Sequence, residues 1–206
     1  MGRRSTHTGG ELREMILEAA RALIESGGLS GLSAREIAKR IGYSPGTIYN
    51  VFDNLDDVIL NVEARLLSGL SDRLAAVPTG QDPMRYLLDL SHAYLQFTHD
   101  NPKLWNLLFE HHLPAGTEVP DWYREKLDGL MAWLEGALKP LIPRADEATL
   151  KRQARVLWAG VHGITSLSTA DKLCNVTTDS AVPLVDDLVR TFVAGLQAPQ
   201  ILAKCA

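Results

Sequence analysis

Apolar residues return every three or four positions along almost the whole chain, the spacing of one face of a helix. Between Glu11 and Ser26 they are Leu12, Met15, Ile16, Ala19, Ala20, Leu23 and Ile24, which predicts a first helix. Thr8 with Glu11 has the capping-box spacing, in which the two residues satisfy early backbone N–H groups reciprocally. Gly27-Gly28 stops the helix. Ser33 and Glu36 repeat the spacing before a short helix that ends at Gly42. Ser44-Pro45 sets a cap followed by proline at the first helical position, where the missing N–H costs nothing. This third helix turns Ile48 and Phe52 inward.

Asn54 caps a longer predicted helix, with Asp56 and Asp57 in its first turn favouring the positive end of the helix dipole. Its stripe is Val58, Ile59, Val62, Leu66, Leu67, Leu70 and Leu74, closed by Pro78-Thr79-Gly80. Asp82-Pro83 opens a helix to about Asp100, Asn101-Pro102 interrupts the chain, and a short apolar helix follows through Leu104, Trp105, Leu107, Leu108 and Phe109. Residues 114–120 read as a loop, and further helices are predicted over 121–138, 146–168 and 183–197. No strand pattern and no internal repeat is found. The predicted fold class is all-α, with about nine helices.

The 206 residues suit one large domain or two small ones, long enough for a core without metal or disulfide support. Apolar residues at 46% and charged residues at 22% give a globular balance. No apolar run is long enough for a membrane span. The opening MGRRSTHTGGELRE has no apolar stretch behind its arginines and does not read as a secretory signal. Cys174 and Cys205 form neither a disulfide framework nor a metal spacing, so the expected location is a reducing cytoplasm. Charge is uneven along the chain. The first 50 residues hold seven Arg/Lys against five Glu, and the rest hold fourteen Arg/Lys against twenty Asp/Glu. A mildly basic head on an acidic body suits only the head to a polyanion.

The head carries the candidate chemistry. Residues 33–52, SAREIAKRIGYSPGTIYNVF, join two short helices by a glycine-containing turn, with Ile37, Ala38, Ile41, Ile48 and Phe52 able to hold the pair together. Short polar residues crowd the start of the second helix, where it must fit a major groove about 12 Å wide. Its leading amides favour phosphate. The run SAREIAKRIGYSPGTIYNVFDNLDDVI resembles the TetR family of transcriptional regulators, through its S-x-x-x-I-A start, G-Y-S turn and T-I-Y-x-x-F close. The resemblance implies a three-helix DNA-binding domain over residues 1–54 and a helical effector-binding and dimerisation domain over 55–206. It makes Ser44, Pro45, Gly46 and Thr47 groove-facing residues and Tyr49 and Asn50 phosphate and sugar anchors. Ser33 and Arg35 reach the backbone from the preceding helix; Ser33 also serves as a cap. Lys39 is equally readable as a solvated surface lysine. One position departs from the family, which usually carries lysine where this chain has Leu55. The lost phosphate contact leaves compensation to backbone amides at that helix start or to Arg3 and Arg4.

In the body, LWAGVHGITSLSTADKLC resembles the family's Trp-His-Gly C-terminal subtype, with Trp158, His162 and Gly163 in the matching places. The last two long helices are expected to form a homodimer seam, through Val156, Ala159, Gly160, Gly163, Ile164 and Leu167 on one and Leu184, Leu188, Phe192 and Leu196 on the other. Ordinary intramolecular packing is the competing reading of the same stripes. Tyr94, Phe97, Trp105, Phe109, His112, Trp122, Met131, Trp158 and His162 are candidate contacts for a largely apolar effector, each also readable as core. Tyr123 and Trp133 extend the same aromatic set. His111 and His112, being adjacent, point in different directions and read with Glu110 as surface, and no metal site or cofactor is expected. No P-loop, dinucleotide fingerprint or H-E-x-x-H occurs, and Cys174 reads as buried or inert. The predicted function is a ligand-responsive DNA-binding regulator, a repressor released from a palindromic operator by a small molecule. An all-helical enzyme and a protein-interaction module are the alternatives.

Overall fold

The computed structural model describes residues 7–80 and 82–198. Arg3, Arg4 and Cys205 lie outside these. Among the described residues there are nine α-helices and no strand: α1 (Gly9–Gly27), α2 (Ala34–Ile41), α3 (Pro45–Ile48), α4 (Leu55–Ala75), α5 (Pro83–Asp100), α6 (Pro102–Glu110), α7 (Asp121–Leu138), α8 (Glu147–Thr169) and α9 (Ala181–Gln197). Local chemistry sets the boundaries. The Thr8/Glu11 capping box forms in both directions. Ser33 Oγ accepts from the Glu36 N–H, and Gly42 ends α2 in the left-handed region at φ 76°, which L side chains seldom adopt. Asn54 Oδ1 accepts from the Asp57 N–H at 2.8 Å to open α4. Asp146 does the same for Thr149 at the start of α8, which holds the Asp146 carboxyl below its ordinary pKa.

The chain groups into two compact units. One comprises the residues up to Gly69 with Asn101–Lys126, the other Leu70–Asp100 with the residues from Leu127 onward. The grouping divides α4 and α7 between the units, whereas the sequence motif ends at residue 54.

In the first unit α1 packs on α2 and α6, and α2 on α3. Its fully buried side chains include Ile16 and Ile24 of α1, Ile37 of α2, Ile48 of α3, Phe52, Val58 of α4 and Leu107 of α6. Each contributes on the order of 1.5–3 kcal/mol by leaving water. The Arg13 guanidinium lies 4.4 Å over the Phe52 ring. It also donates to Asn61 Oδ1, while the Asn61 amide donates to the Asp57 carbonyl and carboxylate. Thus α1, the end of the two-helix motif and the first turns of α4 are tied by one polar chain.

In the second unit α8 and α9 pack together and both pack on α5. Val185, Val189 and Val193, four apart, form the buried face of α9, and Ala154, Leu157, Val161 and Thr165 that of α8. A Cβ on Gly160 would stand 2.9 Å from Leu188 Cδ2, so glycine there permits the close approach of the two helices. The outer face of α8 leaves Val156, Ala159, Gly163 and Leu167 exposed and Gly160 and Ile164 half-buried, while Leu184, Leu188, Phe192 and Leu196 of α9 are half-buried.

Candidate nucleic-acid interface and effector site

The tip of the two-helix motif is built by burying one side and leaving the other to solvent. Ile37, Ala38, Ile48 and Phe52 are inside. On the opposite side Ser44, Pro45, Gly46, Tyr49 and Asn50 are exposed and Thr47 is half-buried, with Tyr49 as much as 53% exposed. An exposed tyrosine ring beside small polar groups is poor packing but a good surface for a sugar–phosphate edge. The second helix is shorter than the sequence suggests. Only Pro45–Ile48 is α-helical, and the chain continues through turns in which the Asn50 and Phe52 N–H groups donate to Thr47 and Ile48 carbonyls. Ser44 does not cap it with its side chain; the Ser44 and Thr47 hydroxyls bond each other at 3.1 Å. That bond holds both hydroxyls at the exposed tip.

Arg35 is exposed and Ser33 half-buried at the start of α2, and Lys39 is exposed but pairs with Glu36 at 3.7 Å. Arg35 has no ion-pair partner among the described residues, which leaves its guanidinium available to phosphate. The start of α4 is different. Its Asp57 N–H is taken by Asn54 and the Asp53 N–H by Asp57 Oδ2. Self-capped and acidic, with Leu55 where a lysine is usual, this end offers phosphate little. A contact that sequence reading missed lies at the turn: His7 Nδ1 and the Tyr43 hydroxyl are 2.6 Å apart, tying the segment before α1 to the turn of the motif. The partners are 36 positions apart, so no local spacing announces the pair.

The nine effector candidates fall in both units. Trp105, Phe109, His112 and Trp122 belong to the first, and Tyr94, Phe97, Met131, Trp158 and His162 to the second. In the first unit Trp105 is buried and its ring meets that of Phe109, while Trp122 packs edge-on against Tyr123. His112 is exposed, with Nδ1 on the Glu110 carbonyl. In the second unit Met131 is half-buried, as are Phe97 and Trp158, and three candidates converge. The Trp158 and His162 rings stack at 5.3 Å and 12°, and the buried Tyr94 hydroxyl meets His162 Nδ1 at 2.9 Å. Burial pushes the Tyr94 phenol up and holds the His162 imidazole below its ordinary value. A separate groove of about 550 Å³ in the second unit is lined by Leu95, His99, Ser168, Leu173, Cys174 and Val182 among others, and by none of the nine candidates. Cys174 is exposed there rather than buried, its thiol on the Asp171 carbonyl.

His111 overturns the surface reading. Its side chain is only 6% exposed, with Nδ1 at 3.1 Å from Glu63 Oε1 and Nε2 at 3.2 Å from Asp56 Oδ1. Glu63 is itself buried and accepts the Tyr123 hydroxyl on its other oxygen at 2.8 Å. The hydrogen bond to Glu63, then that to Asp56, raises the His111 pKa against the opposing effect of burial. Burial and then the Glu63 charge push the Tyr123 phenol up.

Comparison with known proteins gives a consistent picture. Residues 16–62 match the model described as "Bacterial regulatory proteins, tetR family". Residues 87–192 match "Tetracyclin repressor-like, C-terminal domain". Over 187 residues the chain is 25% identical to the "uncharacterized HTH-type transcriptional regulator YobS" of Bacillus subtilis, covering 91% of this chain and 93% of that protein. It is 23% identical over 190 residues to the similarly named regulator Rv0681 of Mycobacterium tuberculosis, covering 90% and 81%. In structure it is similar to Thermus thermophilus FadR, a TetR family transcriptional repressor solved in complex with lauroyl-CoA. There the TM-score is 0.66 at 22% identity, covering 94% of this chain and all of that one.

Proposed function

Because the chain belongs to the TetR family of bacterial transcriptional regulators, we propose that it is a homodimeric repressor whose exposed helix-turn-helix tip reads a palindromic operator and releases it when a small molecule binds. The observation that carries this is the tip itself: Ser44, Gly46, Thr47, Tyr49 and Asn50 turned outward over a sealed apolar base. Thr47, beside Ser44, Pro45 and Gly46, reads base edges. Tyr49, Asn50, Ser33 and Arg35 hold phosphate and sugar. It acts by binding, not by catalysis, on DNA in the cytoplasm.

The exposed outer face of α8 and the half-buried row of α9 support dimerisation through these two helices. Two copies joined there make a four-helix bundle and present two tips, one per half-site about 34–36 Å apart. The stacked Trp158–His162 pair with Tyr94 supports the Trp-His-Gly subtype and an effector contact in the second unit. A largely apolar effector is favoured by this aromatic cluster, and FadR, which shares the fold, is a repressor solved with lauroyl-CoA. The effector acts by binding one conformer of the dimer better than the other, through α4, whose chain enters both units.

Electrophoretic retardation of the DNA upstream of its own gene, across salt, tests the reading. Affinity falls steeply as salt rises, with a slope set by the number of phosphates neutralised. Arg35→Ala weakens all duplexes about equally and lowers that slope by about 1, whereas Thr47→Ala changes base preference at one operator position by about 1–3 kcal/mol. Identical behaviour of the two variants across operator sequences contradicts this division of roles. No retardation by intact dimer contradicts the function.

A further inference from the structure

Sequence reading left His111 without a role, yet it sits in a largely buried polar cluster of the first unit. His111 follows the last residue of α6, its backbone N–H donating to the Leu107 carbonyl, and its ring reaches two carboxylates on α4. Asp56 and Glu63 lie two helical turns apart on one face of α4, so a single ring bridges a long stretch of that helix. Both ring nitrogens face carboxylate oxygens, and a carboxylate only accepts. A neutral imidazole has one N–H and one lone pair, so one of its nitrogens would oppose an oxygen lone pair. With both carboxyl groups ionised, only the doubly protonated ring satisfies both contacts. Glu63 has no such freedom to change partner, because it is 3% exposed and its other oxygen holds the Tyr123 hydroxyl from α7. Asp56 is about a third exposed and can return to water. Loss of one proton therefore leaves Nδ1–H on Glu63 and breaks the Nε2–Asp56 contact.

Asp56 is in the first turn of α4, immediately after the helix-turn-helix. We propose that His111 is a positioning residue. As an imidazolium between Asp56 and Glu63 it fixes the first turn of α4, and with it the helix-turn-helix, so that DNA affinity falls when the ring gives up its proton. The inference rests on the DNA-binding function proposed above and adds a regulation to it. Released, the first turn gains freedom that DNA binding must then remove. The charged and titratable groups hydrogen-bonded to the cluster are Asp56 and Glu63 from α4 and Tyr123 from α7; α1, also packed on α6, contributes none among the described residues. The raised folded-state pKa fixes the direction of the cluster's contribution to folding stability, which is complete below the ordinary histidine value of about 6.5 and disappears as pH rises through the higher folded value.

The test follows the His111 ring by NMR in the full-length protein from pH 5.5 to 9, alongside affinity for a duplex selected from a random pool. Wild type and Asp56→Asn are compared, the latter chosen because its site is partly solvated and tolerates the change. In the wild type the ring is expected to carry both protons at low pH and to titrate above the ordinary histidine range. Affinity should fall about tenfold across that titration, a typical coupling between sites. In D56N the ring should titrate lower and the affinity step should vanish, with low-pH affinity within a few-fold of wild type. H111Q should likewise lack the step. A wild-type ring that titrates at or below the ordinary value, or a step that persists in D56N and H111Q, overturns the proposal while leaving the regulator reading intact. Failure of the wild type to bind DNA at any pH overturns the regulator reading and this coupling together.

Discussion

Replacing Phe52 with alanine is expected to remove about 3–5 kcal/mol of stability, the usual cost of emptying a large aromatic site in a packed interior. Phe52 is among the largest fully buried side chains of the chain. It closes the motif at the point where the Arg13 guanidinium covers its ring. Truncation leaves a cavity in the buried side of the motif and strips the guanidinium of its aromatic partner. Against total stabilities of about 5–15 kcal/mol, the loss is enough to unfold a substantial fraction of the first unit near physiological temperature. Urea titration of the full chain, followed by far-ultraviolet circular dichroism, measures it. Arg13→Met, which keeps the apolar stem over the ring, should cost about 2 kcal/mol, through the lost cation–π contact and the lost hydrogen bond to Asn61 Oδ1. Equal losses in the two variants would mean that the ring is held by the charge and not by the core.

Placing a carboxylate in the outer face of α8 should have a larger effect on DNA binding with little on folding. Ala159 is exposed in the single chain, so Ala159→Glu changes its fold stability by no more than about 0.5 kcal/mol. In a twofold interface the same substitution brings two carboxylates into one seam and buries them unpaired, which no α8–α9 pairing tolerates. The expected product is a folded monomer by sedimentation. Its affinity for the full operator should be about a hundred- to ten-thousandfold weaker, the advantage conferred by linking two half-site contacts. A dimer that survives A159E places the seam elsewhere.

Helix positions were legible because their signals are local. The Thr8/Glu11 box, the Asn54 cap and Gly42 lie within four residues of the ends they define. The start of α9 shows the limit of such signals. Pro183 suggests the first helical residue, yet the helix begins at Ala181 after Ser180, since proline within a first turn removes only an N–H that has no intrahelical acceptor. The outward tip of the motif was legible too, because short polar residues in a sequence otherwise rich in apolar positions have nowhere to go but solvent. Trp158 and His162, four apart, were legible as sharing one helical face, and there their rings stack. What sequence could not supply was long-range pairing. His111 meets residues 48 and 55 positions away, and from its neighbours alone it reads as surface. Tyr94 and His162 are 68 positions apart. The groove beside Cys174 is built largely from the turn between α8 and α9, where no periodicity indicates which side chains face inward.

Selection of bound duplexes from a random pool by the purified full-length protein asks most directly whether the paired tips read DNA. The outcome anticipated is enrichment of an inverted repeat with half-site centres about one helical turn apart, ~34–36 Å, lost in A159E and altered at one position in T47A. Enrichment of no sequence by a demonstrably dimeric protein, or of a single unrepeated element, would contradict it.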